Sequence, residues 1–324
     1  MARMHATLSG LPGIFVIADD ILIVGSGNTE EEASIDHDRN LISLLERCRQ
    51  RNLHLNAEKI QLRRPSTTFM GHELTRDGVK PDRRKIAAIL DMKPPSDRPG
   101  VMRLLGMATY LAKFVPNFSE VTFELRQLLA KDNEFRWDDT RHGKAFRQLK
   151  EMLVSAPVLA YYDVTKPVSI QADASSTGLG AALLIEGRPV AFASRAMTRI
   201  ERDSYAQIEK ELLAMAFGLN RFREYVLGRD VVCETDHRPL VSIVKKQLAS
   251  APKRLQRILL QLSQYTYTVI YRPGSQLVIA DTLSRAYLPD DSAIEFPEEV
   301  AAVADEEQRE ALANGCVGGH HRAD

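Results

Sequence analysis

The stretch GIFVIADDILIVGSG sets two adjacent carboxylates, Asp19 and Asp20, between two apolar runs. Charges at the tip of a buried hairpin are costly to desolvate unless they are paired or hold a cation. Oxygen donors of this kind suit Mg²⁺, which takes one or two carboxylates together with substrate phosphates. An exposed turn is the competing reading. The same dipeptide at Asp138–Asp139 and Asp290–Asp291 stands in polar surroundings, where a solvated loop accounts for it.

A second set of acids is spread over the later half of the chain. Asp173 ends an apolar strand in SIQADASSTGLG, Asp236 ends another in VVCETDHRPL, and Asp281 opens a last helix in VIADTLSR. Carboxylates at the carboxyl ends of strands can converge beside a sheet. Taken singly each also reads as a cap or turn acid, Asp281 above all. A fourth acid comes from a long helix whose apolar stripe is Ile208, Leu212, Met215, Leu219, Phe222 and Val226. At about 100° per residue, Glu211 lies roughly 60° from the centre of that stripe and Glu209 roughly 100° away on the other flank. Glu211 therefore looks along the sheet, Glu209 is a surface acid and Lys210 points to solvent. Asp173, Glu211, Asp236 and Asp281 around one cleft would suit two Mg²⁺ ions about 4 Å apart, with Mn²⁺ as a substitute, for phosphodiester cleavage. His237, directly after Asp236, could assist proton transfer or simply start a helix.

The elements that must position these groups follow from periodicity. Residues 14–24 read as the strand IFVIA, a two-residue turn at Asp19–Asp20 and the strand ILIV, both strands buried. The run from Asn28 gives an amphipathic helix with Leu41, Leu44, Leu45 and Cys48 on one side, ending near Arg51–Asn52, after which LHLN starts a strand. TTFMGHELTRDGVKPDRRKIAAIL reads as two strands around the RDG turn, then a helix begun after Pro81. MKPPSDRPG is a proline-rich break expected to act as a linker or hinge. VMRLLGMATYLAKFV and SEVTFELRQLLAK are helical. From Val168 the pattern is three strands (168–173, 180–186, 189–194), a helix (about 203–227), a strand (231–236), two helices (238–247, 252–265), a strand (267–272) and a short helix from about 278. The class is α/β, with a mixed sheet covered by helices.

Composition sets bounds. Of 324 residues 44% are hydrophobic and 27% charged, the balance of a globular chain. Lys+Arg and Asp+Glu are both 43, so no global basic excess announces nucleic acid. Candidate phosphate contacts are local: Arg221 and Arg223, Lys245 and Lys246, and Lys253, Arg254 and Arg257. Each cluster is equally a solvated helix face. Cys48, Cys233 and Cys316 lack paired metal-ligand spacing, which fits an intracellular protein of cytoplasm or nucleus. No apolar run reaches the roughly 20 residues that cross a bilayer, so no membrane partner is expected. His320 and His321 near Cys316 are too few ligands for zinc. Residues 287–324 are acidic and expected to be disordered.

These blocks, in this order, resemble the carboxyl-terminal portion of the reverse transcriptase–ribonuclease H of gypsy-type LTR retrotransposons, from about Leu11 to Arg285. FVIADDILIV resembles the polymerase Tyr-x-Asp-Asp hairpin; LHLNAEK and FMGHELTRDGVKPDRRKIAAI resemble the last palm elements and the start of the thumb and connection. LLGMATYLAKFVPNFSEV and FRWDDTRHGKAFRQLK resemble the helical region. QADASSTGLGAALL, AFASRAMTRIERDSYAQIEKELLAMAFGLNRFREYVLGR, ETDHRPL and YRPGSQLVIADTLSR resemble ribonuclease H (RNase H) blocks. The resemblance implies a truncated palm (1–80), a thumb or connection region (81–164), an RNase H-like domain (165–286) and the tail. It implies that Asp173, Glu211, Asp236 and Asp281 bind metal, that Asp19 and Asp20 are polymerase acids with Asp19 the direct ligand, and that Lys59 lies near the pyrophosphate. Lys59 as a strand-edge lysine is the alternative. The implied partners are an RNA–DNA hybrid, read through backbone shape and 2′-hydroxyls, and other parts of a Pol polyprotein. Ile17 departs from the Tyr of the pattern, and Leu277 stands where Asn usually precedes the last acid. The sequence begins at the hairpin, without the earlier palm strand or the fingers, so hybrid cleavage is expected of it and DNA synthesis is not. A non-catalytic hybrid-binding remnant, or part of an active polymerase, are the alternatives.

Overall fold

A computed structural model describes residues 2–116, 118–130, 134–175, 178–245, 251–273 and 277. Asp281, Lys246, the expected helix from about 278 and the acidic tail lie outside the described residues. The chain divides after Arg76 into two compact units.

The first unit holds helix α1 (Ala2–Leu8), strands β1 (Ile14–Ile17) and β2 (Asp20–Ile23), helix α2 (Glu30–Gln50) and the antiparallel strands β3 (Ser66–Phe69) and β4 (His72–Thr75). The expected hairpin forms, with Ile14 opposite Ile23 and Ile17 opposite Asp20. Its turn is Ala18–Asp19, one residue before the expected Asp19–Asp20, because Ala18 takes the left-handed φ of 51° that closes the turn and leaves Asp20 to pair with Ile17. The strands are half-buried, not buried. Ile14, Val16, Ile21 and Ile23 pack on Leu8, Leu44 and Cys48, as strand alternation requires. Asp19 and Asp20 are exposed, so the desolvation cost that argued for a cation does not arise.

Thr29 caps α2 by accepting from Glu32 N at 3.1 Å. Asn40 is buried in the position opposite the hairpin and donates to Val24 O at 2.8 Å. Leu45, expected on the inner stripe, is 47% exposed. LHLN forms no strand; a 3₁₀ turn at Ala57–Lys59 comes next, started by the Asn56 side chain accepting from Glu58 N. An unanticipated turn at Met70–Gly71, both at positive φ, splits the next segment so that three strands form where two were expected. Methionine rarely adopts that conformation, so Met70 carries no turn signal of its own.

The second unit begins with β5 (Gly78–Pro81), whose Val79 exchanges backbone hydrogen bonds of 2.8 and 2.9 Å with Leu159. Helices α3 (Arg83–Leu90), α4 (Arg98–Tyr110), α5 (Phe118–Val121), α6 (Phe123–Gln127) and α7 (Lys144–Val154) come after it. The proline-rich break joins α3 and α4 inside one core and is no hinge between units: Ile89 and Val101 are fully buried in it. Lys150 Nζ also donates to Leu90 O and Met92 O, each at 2.7 Å, fixing the break from below.

Then comes the mixed sheet: β6 (Val168–Ala174), β7 (Gly178–Ile185), β8 (Arg188–Ala196), β9 (Asp230–Thr235) and β10 (Thr266–Tyr271), in the order β10-β9-β6-β7-β8. The first three form an antiparallel meander, while β9 and β10 run parallel to β6. Between them lie α8 (Arg199–Ser204), α9 (Gln207–Arg221), α10 (Arg223–Val226), α11 (Arg238–Val244) and α12 (Lys253–Leu262). The one long helix expected over 203–227 is thus interrupted, at Tyr205–Ala206 and at Phe222.

Both faces of the sheet are covered. Ile170, Ala181 and Leu183 pack with Leu212, Met215 and Leu219 of α9, as the predicted stripe requires. Ala182, Leu184 and Phe192, on the opposite face, pack with Leu104, Leu149 and Leu153 of the helical region. A strand sealed on both sides reads as a continuous apolar run, as GLGAALLI does. The helical region and the described part of the sheet region therefore share a core, and both lie in the second unit.

Candidate metal centre

Three of the four predicted RNase H acids converge. Asp173, Glu211 and Asp236 each present an oxygen within 4.8 Å of the others. The strand register explains two of them: Gln171 of β6 lies opposite Glu234 of β9, so two residues on, Asp173 and Asp236 leave the parallel pair side by side at its carboxyl end. The third arrives on α9. That helix sits close on the sheet because a Cβ at Gly218 would fall 3.0 Å from Ala181 Cβ and 3.1 Å from Ile170 Cγ2.

The three carboxylates differ in setting. Glu211 is buried at 4% exposure, Asp173 is half-buried and Asp236 is exposed. Burial, and after it the charge on Asp173, pushes the Glu211 carboxyl up to about 8. Gln207 opposes this by donating from Nε2 to Glu211 Oε1 at 2.6 Å, while Glu211 Oε2 is buried without a hydrogen-bond partner among the described residues. A buried carboxylate oxygen without a donor, beside two more carboxylates, is a donor set that a hard divalent cation satisfies. The residues fit Mg²⁺.

Surrounding contacts hold the start of α9. Glu209 accepts from Ala206 N and from Arg254 Nη1, each at 2.9 Å, and Arg254 also donates to Ser204 O at 3.0 Å. Glu209 is thus a bracing acid, and Arg254, expected at phosphate, is engaged in tying α12 to α9. Lys210 does not point to solvent: it is half-buried and donates to Arg202 O at 2.7 Å. Arg221, Arg223, Lys245, Lys253 and Arg257 are exposed. His237 opens α11 without a side-chain cap bond, and its Nδ1 is buried with no hydrogen-bond partner among the described residues. Leu277, at the position of the expected Asn, is 2% exposed and belongs to the packing.

In the other unit, Asp19 and Asp20 stay at the exposed hairpin tip and Lys59 ends the exposed 3₁₀ turn. They join no cluster of three metal-binding side chains among the described residues. Gln207 is the residue that pattern reading overlooked. Its position four residues before Glu211 on one helix face was the available signal.

Residues 137–233 match the RNase H-like domain found in reverse transcriptase. Along 84% of its length the chain is 33% identical to the retrovirus-related Pol polyprotein from transposon 412 of Drosophila melanogaster. It is 32% identical over 82% of its length to the transposon Tf2-3 polyprotein of Schizosaccharomyces pombe (strain 972). Over most of its length, then, the chain has homologues in the Pol polyproteins of gypsy-type retrotransposons. It spans about a fifth of those relatives, 21% and 20%. The chain also shares its fold with two structures of the foamy viral protease-reverse transcriptase. The dRH form with double-stranded DNA aligns at a TM-score of 0.73 and 24% identity, over 84% of this chain and 48% of that one. The complex with RNA/DNA hybrid aligns at 0.71 and 23%, over 91% and 39%. The domain match starts at Trp137, ahead of α7, and so takes in part of the helical layer as well as β6, β7, β8 and most of β9.

Proposed function

We propose that the second unit of this Pol segment is a Mg²⁺-dependent endonuclease that hydrolyses the RNA strand of RNA–DNA hybrids. The observation that carries this is the convergence of Asp173, Glu211 and Asp236 within 4.8 Å; Asp281 is the fourth acid of the set. A pair of Mg²⁺ ions, when bound, activates the attacking water and stabilises the leaving oxygen. Asp173 and Asp236, the less buried of the three, would supply the ligand oxygens nearer solvent. Glu211, whose buried carboxyl is raised to about 8, would release its proton to serve as a ligand.

The hybrid is read by backbone shape and 2′-hydroxyls, with Arg221, Arg223, Lys245, Lys246, Lys253 and Arg257 as phosphate contacts. The foamy viral enzyme of the same fold binds such a hybrid. In the first unit, Asp19, Asp20 and Lys59 are the positions to which the resemblance assigns polymerase roles, and no DNA synthesis is proposed for this chain.

Incubating the purified chain with end-labelled hybrid in Mg²⁺ or Mn²⁺ tests the proposal. Asp236→Asn is expected to abolish cleavage while leaving stability unchanged, since Asp236 is exposed. Cleavage that survives the substitution rejects the site. Hybrid binding without cleavage in either metal points instead to a non-catalytic binding module.

A further inference from the structure

We infer that Gln207 is a positioning residue of the metal centre, holding the Glu211 carboxylate against the end of β6. The inference rests on the metal-dependent nuclease proposed above and adds a residue to it. The Gln207 amide nitrogen carries two hydrogens and has two acceptors in reach. One is Glu211 Oε1 at 2.6 Å; the other is the carbonyl oxygen of Ala174 at 3.3 Å. Ala174 comes directly after Asp173, and its own N–H donates to Asp173 Oδ1 at 2.8 Å. A continuous path therefore runs from Glu211 through the Gln207 amide and the Ala174 peptide to Asp173. One acid stands on a helix and the other on a strand, and the amide spans the gap between them.

The geometry gives the amide a particular task. It occupies Oε1 and leaves Oε2, which is buried and has no hydrogen-bond partner among the described residues, free to meet a cation held with Asp173 and Asp236. A donor that fixes one oxygen also fixes where the other points. Gln207 itself is exposed, so packing does not explain the arrangement. Glu211 and Gln207 are four residues apart on α9, hence neighbours on one helix face, and the bond holds only while that helix end stays in place. The Glu209–Arg254 and Arg254–Ser204 contacts keep it there. Hydrogen bonds from outside the ligand set orient metal-binding side chains, and their loss typically weakens metal affinity about 10- to 100-fold.

The test compares the full chain, Gln207→Met and Gln207→Ala by calorimetric titration with Mn²⁺, using Asp236→Asn to identify the heat that belongs to this site. Both Gln207 variants are expected to bind Mn²⁺ about 10- to 100-fold more weakly, with the unfolding midpoint in EDTA unmoved. In hybrid cleavage, the half-saturating Mg²⁺ concentration rises by a similar factor, while the rate at saturating Mg²⁺ returns to within a few-fold. A merely structural role would lower the midpoint and leave the metal dependence alone. Wild-type Mn²⁺ affinity in both Gln207 variants overturns the inference and leaves the nuclease proposal standing. Absence of any Asp236-dependent Mn²⁺ binding in the unsubstituted chain removes the metal centre itself, and the positioning role with it.

Discussion

Replacing Glu211 by Gln in the metal-free protein probes the electrostatics of the centre most directly. The folded carboxyl sits at about 8 against an ordinary value of 4.5, so between those values the folded state keeps a proton that the unfolded chain releases. Stability rises with pH only where the unfolded state binds more protons; here it binds fewer, and this group makes the fold less stable as pH rises. From about pH 5 to about pH 7, at about 1.4 kcal/mol per pH unit, the loss is on the order of 2–3 kcal/mol. Glu211→Gln keeps the shape and cannot ionise, so its stability lacks that slope. Trp137 is the single tryptophan and packs against His142 and Phe146 in the second unit. Its fluorescence in urea, with EDTA present, reports on the unit that carries the centre. The expected result is that the two proteins match near pH 5 and that the variant is the more stable near pH 7. Millimolar Mg²⁺ should close that gap by stabilising the unsubstituted protein. Parallel profiles for the two proteins from pH 5 to pH 7 would refute the raised Glu211 carboxyl that burial, and after it the Asp173 charge, produces.

The shared core makes a second prediction. Leu149 of α7 is fully buried against the sheet, so Leu149→Ala should cost about 2–5 kcal/mol. Far-UV circular dichroism and Trp137 fluorescence should lose structure in one transition, whereas separate transitions would show that the helices and the sheet fold apart. The basic residues should divide by their contacts. Arg257→Ala should weaken hybrid binding and reduce the salt slope by about 1. Arg254→Ala should instead lower the thermal midpoint, because its guanidinium braces Glu209 and Ser204; a midpoint unchanged from the unsubstituted protein would remove that bracing role.

Periodicity and spacing determined a good deal on their own. The three-strand meander, the alternation of helices and strands after it, the α9 stripe and the preference for Glu211 over Glu209 are local or helical-period properties, and each survives in the fold. The gathering of Asp173, Glu211 and Asp236 was legible too, since strand ends and one helix face have few ways to meet beside a sheet. What the tertiary structure decided was burial and bonding between distant segments. No local pattern states that α4 and α7 seal the second face of β7, that Arg254 is engaged with Glu209, or that the Asp19–Asp20 tip is exposed. Those outcomes depend on which surfaces remain to be covered once every element has formed, and that is a property of the assembled layers. The Gln207 bridge lies between the two regimes. Its bond to Glu211 is written in a spacing of four residues, and its bond to Ala174 exists only because α9 comes to rest against the end of β6.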